Sequence, residues 1–96
     1  MPIQIDDLTI EDKNLIGFCV DSDRSIIFQG RALDEEGKAI CDKLSKFKKG
    51  STVEATLEKD FHRIQGVYEV YEIQIPPREE KDRTIYRFSG KLTPVI

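Results

Sequence analysis

The chain has 96 residues, which fits a single domain spanning 1–96, and charged side chains make up 34% of it. Fifteen basic residues against eighteen acidic ones give a net charge of −3, which argues against a surface that binds polyanions throughout but allows a local basic face. The acidic N-terminus lacks the apolar core of a signal peptide, and no run approaches about eighteen apolar residues, so we expect a cytoplasmic protein without a membrane span.

The first third of the chain predicts three short strands. Residues 2–8 suit a first strand, and the apolar run LIGFCV, residues 15–20, suits a second. The polar sequence DSDR, residues 21–24, predicts a tight turn into a third strand over 25–32, in which Gly30 is a candidate bulge or bend. The second and third strands should therefore be joined directly by this turn.

One amphipathic helix is predicted over about residues 34–49. Apolar residues recur there at spacings that place them on one side of a helix: Leu33, Ile40, Leu44 and Phe47. Asp34 suits the N-cap position, and Gly50 suits the position after the last turn. Gly37 is the weak point of this helix, because glycine costs up to about 1 kcal/mol relative to alanine in a helix.

The second half of the chain predicts three more strands. Residues 51–59 alternate between apolar and polar side chains and give the clearest half-exposed strand. The next strand runs to Ile75, where Pro76–Pro77 cannot donate backbone hydrogen bonds and end it. Residues 84–95 predict a last, extra strand after a charged loop.

The run GVYEVYEIQIPP, residues 66–77, has no purely apolar side. Its buried side should change near Val70 and Tyr71, as in a strand that passes from one part of a sheet to another. We expect the following residues to be largely buried: Val67 or Tyr68, Val70, Tyr71 and Ile73. Only one tyrosine of the pair is then free to meet a ligand, and we expect it to be Tyr68.

Residues 38–75 also show a recognisable order of elements. It consists of an amphipathic helix, the turn Lys49-Gly50, the alternation Val53-x-Ala55-x-Leu57 and the pattern Tyr68-x-Val70-x-x-Ile73. This order resembles that of nucleic-acid-binding OB-fold domains. The resemblance implies a mainly β (α+β) fold, namely a five- to six-stranded antiparallel OB-like barrel or curled sheet with the helix between strands three and four. An open antiparallel sheet packed on one helix is the structural alternative.

Residues for catalysis or metal binding are scarce. His62 is the one histidine, whereas metal sites and catalytic triads need more nitrogen or sulfur ligands. Acidic pairs fall in polar turns, at the helix start or in a loop, where nothing raises a carboxyl pKa for acid catalysis. Cys19 and Cys41 lie in apolar runs, which favours reduced, buried thiols over a disulfide. We therefore expect a protein that is not an enzyme and that has no metal and no cofactor.

Aromatic residues next to cations suggest a site for single-stranded nucleic acid, as the OB-fold resemblance implies. The residues that we expect in this site are Arg63, Tyr68, Tyr86, Arg87, Lys46 and Lys49, with Phe61 and Tyr71 as further candidates. Glutamates on the same strands oppose this hypothesis, because like charge repels phosphate: Glu54, Glu58, Glu69 and Glu72.

The alternative is a protein–protein interaction module, or a small regulatory subunit or inhibitor, that acts through a sheet face or an edge strand. The two hypotheses differ in charge distribution. Basic residues gathered on one face with exposed tyrosines favour nucleic acid, and acids interleaved throughout favour a protein partner. An unpaired edge, such as the extra strand over 84–95, would also allow a homodimer unless Lys91 and Pro94 protect that edge.

Overall fold

The computed structural model describes residues 2–59 and 62–95 of the chain. Its strands are β1 (Ile3–Ile5), β2 (Leu8–Ile10), β3 (Leu15–Val20), β4 (Ile26–Leu33), β5 (Thr52–Lys59), β6 (His62–Gln74), β7 (Glu79–Glu80) and β8 (Thr84–Pro94). A 3₁₀ turn covers Asp12–Asn14, and the helix α1 (Asp34–Leu44) lies between β4 and β5. Within the described ranges no helix is long and apolar enough to cross a membrane.

The strands form one antiparallel sheet of eight strands. Their order is β2-β1-β5-β6-β8-β4-β3, and β7 pairs with β8 beyond the end of β6. The described sheet is open, with β2 and β3 at its two ends. The mainly β class and the helix between the third and fourth predicted strands are confirmed. The strand count exceeds the predicted five or six because of two short strands, β2 and β7, and the sheet does not close into a barrel.

The extra strand over residues 84–95 lies in the middle of the sheet. Its structural counterpart β8 pairs with β6 on one side, from Tyr68 opposite Pro94 to Gln74 opposite Ser89, and with β4 on the other. The prediction that Lys91 and Pro94 protect an edge is therefore wrong. The strand returns beside β6 through residues 75–83, and β4 takes its remaining side.

Side chains alternate along each strand, so that one side of the sheet faces α1 and the other faces away from it. We call these sides the inner face and the outer face. The buried apolar residues of the inner face are Ile3, Ile5, Leu8, Ile10, Ile26, Phe28, Ala32, Val53, Ala55, Leu57, Tyr68, Val70, Phe88 and Leu92, and they pack with Ile40, Cys41 and Leu44 of α1. Burial of one large apolar side chain contributes about 1.5–3 kcal/mol to stability.

The helix ends earlier than predicted. Its last residue is Leu44, so that residues 45–49 lie outside it. Gly50 has a φ of 90° and donates its N–H to the Val70 carbonyl at 2.8 Å. Because glycine adopts this φ without strain, Gly50 serves the turn into β5 rather than the end of the helix.

Asp34 connects the start of the helix to the start of β8. Its Oδ2 accepts hydrogen bonds from Arg83 Nε at 2.9 Å and Nη2 at 2.7 Å, and its Oδ1 accepts one from the Thr84 N–H at 3.1 Å. The bond from Arg83 is the main reason that the pKa of Asp34 lies below its ordinary value. The prediction of Asp34 as N-cap is wrong, because Leu33 holds that position and the carboxylate is engaged by β8.

Gly30 is not the predicted bulge. It pairs regularly with Phe88 of β8, and the irregularity lies on the neighbouring strand β3, between Leu15 and Gly17. A Cβ at Gly30 would collide with the carbonyl oxygen of Asn14 and with the ring of Phe88. The glycine is therefore explained by close packing.

At Gly37 the helix backbone packs closely against the sheet. A Cβ at this position would lie 2.6 Å from Tyr86 Cδ1 and 2.7 Å from the Ala32 carbonyl oxygen. The backbone oxygen cannot move as a flexible side chain could. The residue that weakens the helix by propensity is thus required by its packing.

We predict that Gly37→Ala destabilises the protein, although alanine is the better helix former. Overpacking costs about 1–3 kcal/mol, which exceeds the gain of up to about 1 kcal/mol in helix propensity. Urea unfolding should show the loss. Gly66→Ala is the matched control, because its Cβ would meet only Tyr68 Cε1, at an ordinary 3.9 Å. Equal or higher stability of Gly37→Ala would contradict the packing described above.

We also predict that Asp34→Asn lowers the melting temperature at pH 7. The pKa of Asp34 is lowered in the folded state, so its contribution is present above its ordinary pKa of about 3.8 and is lost as the pH falls through the lowered value. Thermal unfolding from pH 7 to pH 2 should therefore show a difference from the parent protein that shrinks with acid. Asparagine tolerates the φ of 53° at this position, which isolates the effect of charge. Asp82→Asn removes an equal charge in the nearby loop and should change little.

Candidate functional site

The exposed tyrosine of β6 lies on the outer face. The register between β6 and β8 shifts between Val70 and Glu72, which makes Tyr71 an extra residue of a bulge. Tyr71 is 49% exposed, whereas Tyr68 is 2% exposed and donates its hydroxyl to the Arg24 carbonyl at 3.1 Å. The predicted change of buried side near Val70 and Tyr71 is confirmed. The predictions for the two tyrosines are wrong, because Tyr68 is buried and Tyr71 is exposed. Tyr68 is part of the core and offers no surface for stacking, and Tyr71 does.

Two lysines hold their ammonium groups over the ring of Tyr71. Lys91 Nζ lies 4.8 Å and Lys49 Nζ 5.6 Å from the ring centroid, within the range of cation–π contacts. Lys49 comes from the turn before β5, on one side of β6, and Lys91 comes from β8 on the other. The fold thus brings one aromatic ring and two cations together on the outer face.

The two predicted arginines lie elsewhere and face carboxylates. Arg63 is opposite Glu58 in the pairing of β5 with β6, roughly 25 Å along the strand from Tyr71 at about 3.3 Å per residue. Arg87 Nε lies 3.5 Å from Glu79 Oε1. Neither arginine joins the lysines at Tyr71.

The remaining predicted site residues are also dispersed. Tyr86 is half-buried and packs against the core below Gly37, and Lys46 is exposed just after the helix. Phe61 lies outside the described residues. Of the predicted set, only Lys49 is brought to the exposed tyrosine. Lys91, which completes that group, was not predicted because its contact depends on the pairing of β8 with β6.

Cations and carboxylates alternate over the described surface. Ion pairs with N–O distances of 4.0 Å or less join Lys13 to Glu36, Lys43 to Asp7, Arg78 to Glu80, Arg83 to Asp34 and Arg87 to Glu79. Exposed pairs of this kind contribute only about 0–1 kcal/mol each to stability. They do place a carboxylate beside five of the fifteen cations that could contact a nucleic acid, including the predicted Arg87.

A groove of about 440 Å³ crosses the outer face from β3 to β6. Two neighbouring rows of residues line it: Cys19, Ile27, Lys91 and Glu72 in one row, and Gly17, Gln29, Ser89 and Gln74 in the next. The end of the groove next to β3 is uncharged, and the charged pair Lys91 and Glu72 lies at the far end. The small residues Gly17 and Ser89 leave space along the second row.

Strand β3 forms one end of the sheet and carries no charged side chain. Its six residues are LIGFCV, and β4 is the one strand with which it pairs in the described part of the chain. Ile16, the extra residue at the register shift, is 59% exposed. Proteins usually protect an edge strand with lysine, proline or charge along it. Beyond the bulge at its start, β3 has none of these.

The turn after β3 has the predicted hairpin form. Arg24 donates its N–H to the Asp21 carbonyl at 2.9 Å, and Asp21 donates its N–H to the Ser25 carbonyl at 2.9 Å. The Asp23 carboxylate accepts a hydrogen bond from the Ser25 N–H at 2.9 Å, which is the main cause that lowers its pKa. Asp21 and Asp23 are exposed at one end of β3, and Glu11 is exposed before the other end.

The two cysteines are free and differ in exposure. Cys41 is buried in the core, as predicted, and burial raises the pKa of its thiol. Cys19 is exposed on β3, so the prediction of a second buried thiol is wrong. The apolar run around Cys19 indicated burial, but its side chain lies on the outer face beside Ile27, on the side of the sheet that α1 does not cover. Cys19 is therefore accessible at the end of the groove next to β3.

Within residues 2–59 and 62–95, no three His, Cys, Asp or Glu side chains group as they would to hold a metal ion. No family model matches the chain, and neither a curated protein nor a solved structure shows significant similarity to it. The outer face and β3 are therefore the parts of the molecule that bear on its function.

Proposed function

We propose that this protein is a protein-interaction module without enzymatic activity, acting as a small regulatory subunit or inhibitor. It binds an extended segment of a partner protein as an additional strand along β3. The observation that carries this proposal is the uncharged, exposed edge strand LIGFCV in a chain of which 34% is charged. In complexes of this kind, main-chain hydrogen bonds supply affinity and alternate side chains supply specificity.

The groove adjoins this edge. Gly17 and Cys19 of β3 line its near end, so the outward side chains of an added strand would lie beside it. Each main-chain hydrogen bond contributes only about 0.5–1.5 kcal/mol net, and a short strand forms few of them. Contacts in the groove are therefore needed for useful affinity, and the fold offers them at the right place.

The charge distribution also supports a protein partner. Carboxylates face Arg63 and Arg87, and the chain as a whole carries a charge of −3. A nucleic acid would meet these carboxylates along the sheet, whereas a peptide backbone is not repelled by them.

The test uses a fluorescein-labelled peptide with six alternating Thr and Val residues and uncharged Ser-Gly ends. We expect binding that slows hydrogen exchange in β3 and slows alkylation of Cys19, while buried Cys41 serves as the internal reference. Ile16→Lys places a charge on the edge and should weaken binding at least about fivefold, equivalent to roughly 1 kcal/mol.

Val67→Lys is the matched control, because Val67 is also exposed, at 48%, but lies on the interior strand β6. It should leave binding unchanged. A version of the peptide with N-methyl groups on alternate residues cannot form the ladder and should not bind. Equal effects of the two lysine variants, or no protection of β3, would contradict strand addition.

Single-stranded nucleic acid is the second candidate ligand, and one observation favours it. Tyr71 is exposed on the outer face with Lys49 and Lys91 over its ring, which is the combination of aromatic surface and cations that such ligands use. The neighbouring Glu69 and Glu72 oppose it, so the site would be small.

For this candidate, a labelled twelve-nucleotide oligothymidylate is titrated at low and at moderate salt. Binding should weaken with salt, and Tyr71→Ala should weaken it further, because stacking contributes about 1–3 kcal/mol per base. Val67→Ala is the control for an exposed residue away from the lysines. Absence of binding at low salt would exclude the oligonucleotide as a ligand.

A further inference from the structure

We infer that the segment bound along β3 has an uncharged middle and basic residues at both ends. This inference rests on the proposed strand addition and adds the chemistry of the partner. Three properties of the described residues carry it: the acids at both ends of β3, the uncharged surroundings of its middle, and the consequences of pairing two copies of the chain.

Both ends of β3 are acidic. Glu11 lies before the strand, and Asp21 and Asp23 lie after it, all three exposed. Of the nearby cations, Lys13 Nζ is already 3.1 Å from Glu36 Oε2, which leaves one cation near each end. Arg24 lies in the turn after β3, and Arg31, which follows the Gly30 partner of Leu15, lies near the start of β3, where Glu11 and Asp12 are exposed. An added strand would lie about 4.8 Å from β3, and electrostatic screening at physiological salt acts over about 8 Å. The ends of the added strand would therefore be attracted or repelled by these carboxylates, whether the strand runs parallel or antiparallel to β3.

The middle of β3 offers no charge to pair with. Gly17 has no side chain, and a Cβ there would have only Gln29 Nε2 within contact distance, at 3.9 Å. An outward side chain of the added strand can therefore pass over Gly17 to reach Gln29 and Ser89 in the groove. A charged group placed there would lose its hydration without gaining a partner of opposite charge, which is unfavourable. A long uncharged side chain with an amide or hydroxyl group fits this position.

A second copy of the chain is a poor occupant. If two β3 strands paired in antiparallel fashion, Glu11 of each copy would approach Asp21 and Asp23 of the other. Parallel pairing would place each acid beside its own equivalent. Like charges on neighbouring strands are destabilising. The same acids that repel a second copy attract a segment with lysine or arginine at its ends.

The experiment compares the neutral peptide of the strand-addition test with two versions that carry Lys-Arg or Glu-Glu at both ends. Exposed ion pairs each change an equilibrium constant by a factor of about 1.5 to 5. The basic peptide carries four added positive charges and the acidic peptide four added negative charges, so the basic peptide should bind about tenfold tighter than the acidic one at low salt. A high-salt titration should remove most of this difference. A basic peptide with prolines in its middle controls for attraction without strand pairing.

Variants of the protein locate the charges. Glu11→Gln combined with Asp21→Asn should reduce the preference for the basic peptide to about threefold or less. Glu54→Gln combined with Glu58→Gln removes the same amount of charge from β5, away from β3, and should retain the full preference.

The outcomes separate the two proposals. If the neutral peptide binds along β3 but the basic and acidic versions bind equally, the inference is wrong and strand addition stands. If no peptide binds, both are wrong. If the proline-containing peptide binds as tightly as the basic one, charge alone attracts it and the inference is wrong. If sedimentation shows that the protein self-associates and Ile16→Lys abolishes this, the occupant is a second copy and the inference is also overturned.

Discussion

The main-chain hydrogen bonds of β8 hold the described sheet together. In the strand order, β8 is the link between the group β2-β1-β5-β6 and the group β4-β3. It fits between its neighbours only because Gly90 lacks a side chain, since a Cβ there would lie 2.6 Å from Phe28 Cζ and 2.9 Å from Ile73 Cδ1. The carboxylate of Asp34 fixes the first residue of β8 to the start of the helix. The packing of α1 and the pairing of β8 are thus connected through Asp34.

The position of β8 also determines which surfaces stay accessible. Had the extra strand been added beyond β3, it would have covered the free edge of β3, where Ile16 is exposed. Because it is inserted between β6 and β4, the apolar strand β3 is left at the end of the sheet instead. The one described helix covers the inner face, so the outer face with its groove faces solvent. The proposed binding edge is therefore a consequence of the topology rather than of a local motif.

The sequence located most elements because their signals are local. Alternation in residues 51–59 and spacing in α1 depend on neighbours a few positions away, and both elements were located, although α1 ends at Leu44 and not near residue 49. Asp34 shows where such signals fail. Its local context is that of an N-cap, but Arg83 and the Thr84 N–H compete for the same carboxylate, and Thr84 is 50 positions away. No residue close to Asp34 in the sequence indicates that Arg83 and Thr84 are its partners.

The candidate site was harder to predict for two physical reasons. Tyr68 and Tyr71 are three positions apart and so lie on opposite sides of β6, but neither side of this run is purely apolar, and its pattern therefore does not indicate which tyrosine faces the core. An apolar run such as LIGFCV also has the same composition whether it lies inside a sheet or at its end. Only the strand order distinguishes the two cases, and this order depends on contacts that are distant in sequence.

The separation between β4 and β8 has a consequence during synthesis on the ribosome. Asp34 and Thr84 are 50 residues apart, so β4 and α1 leave the ribosome well before the strand that joins them to β6. Until β8 arrives, β4 and β6 each lack a neighbour, and the nascent chain exposes two further strand edges. Fast docking of β8, or a chaperone that shields these edges, would then limit aggregation of the newly made protein.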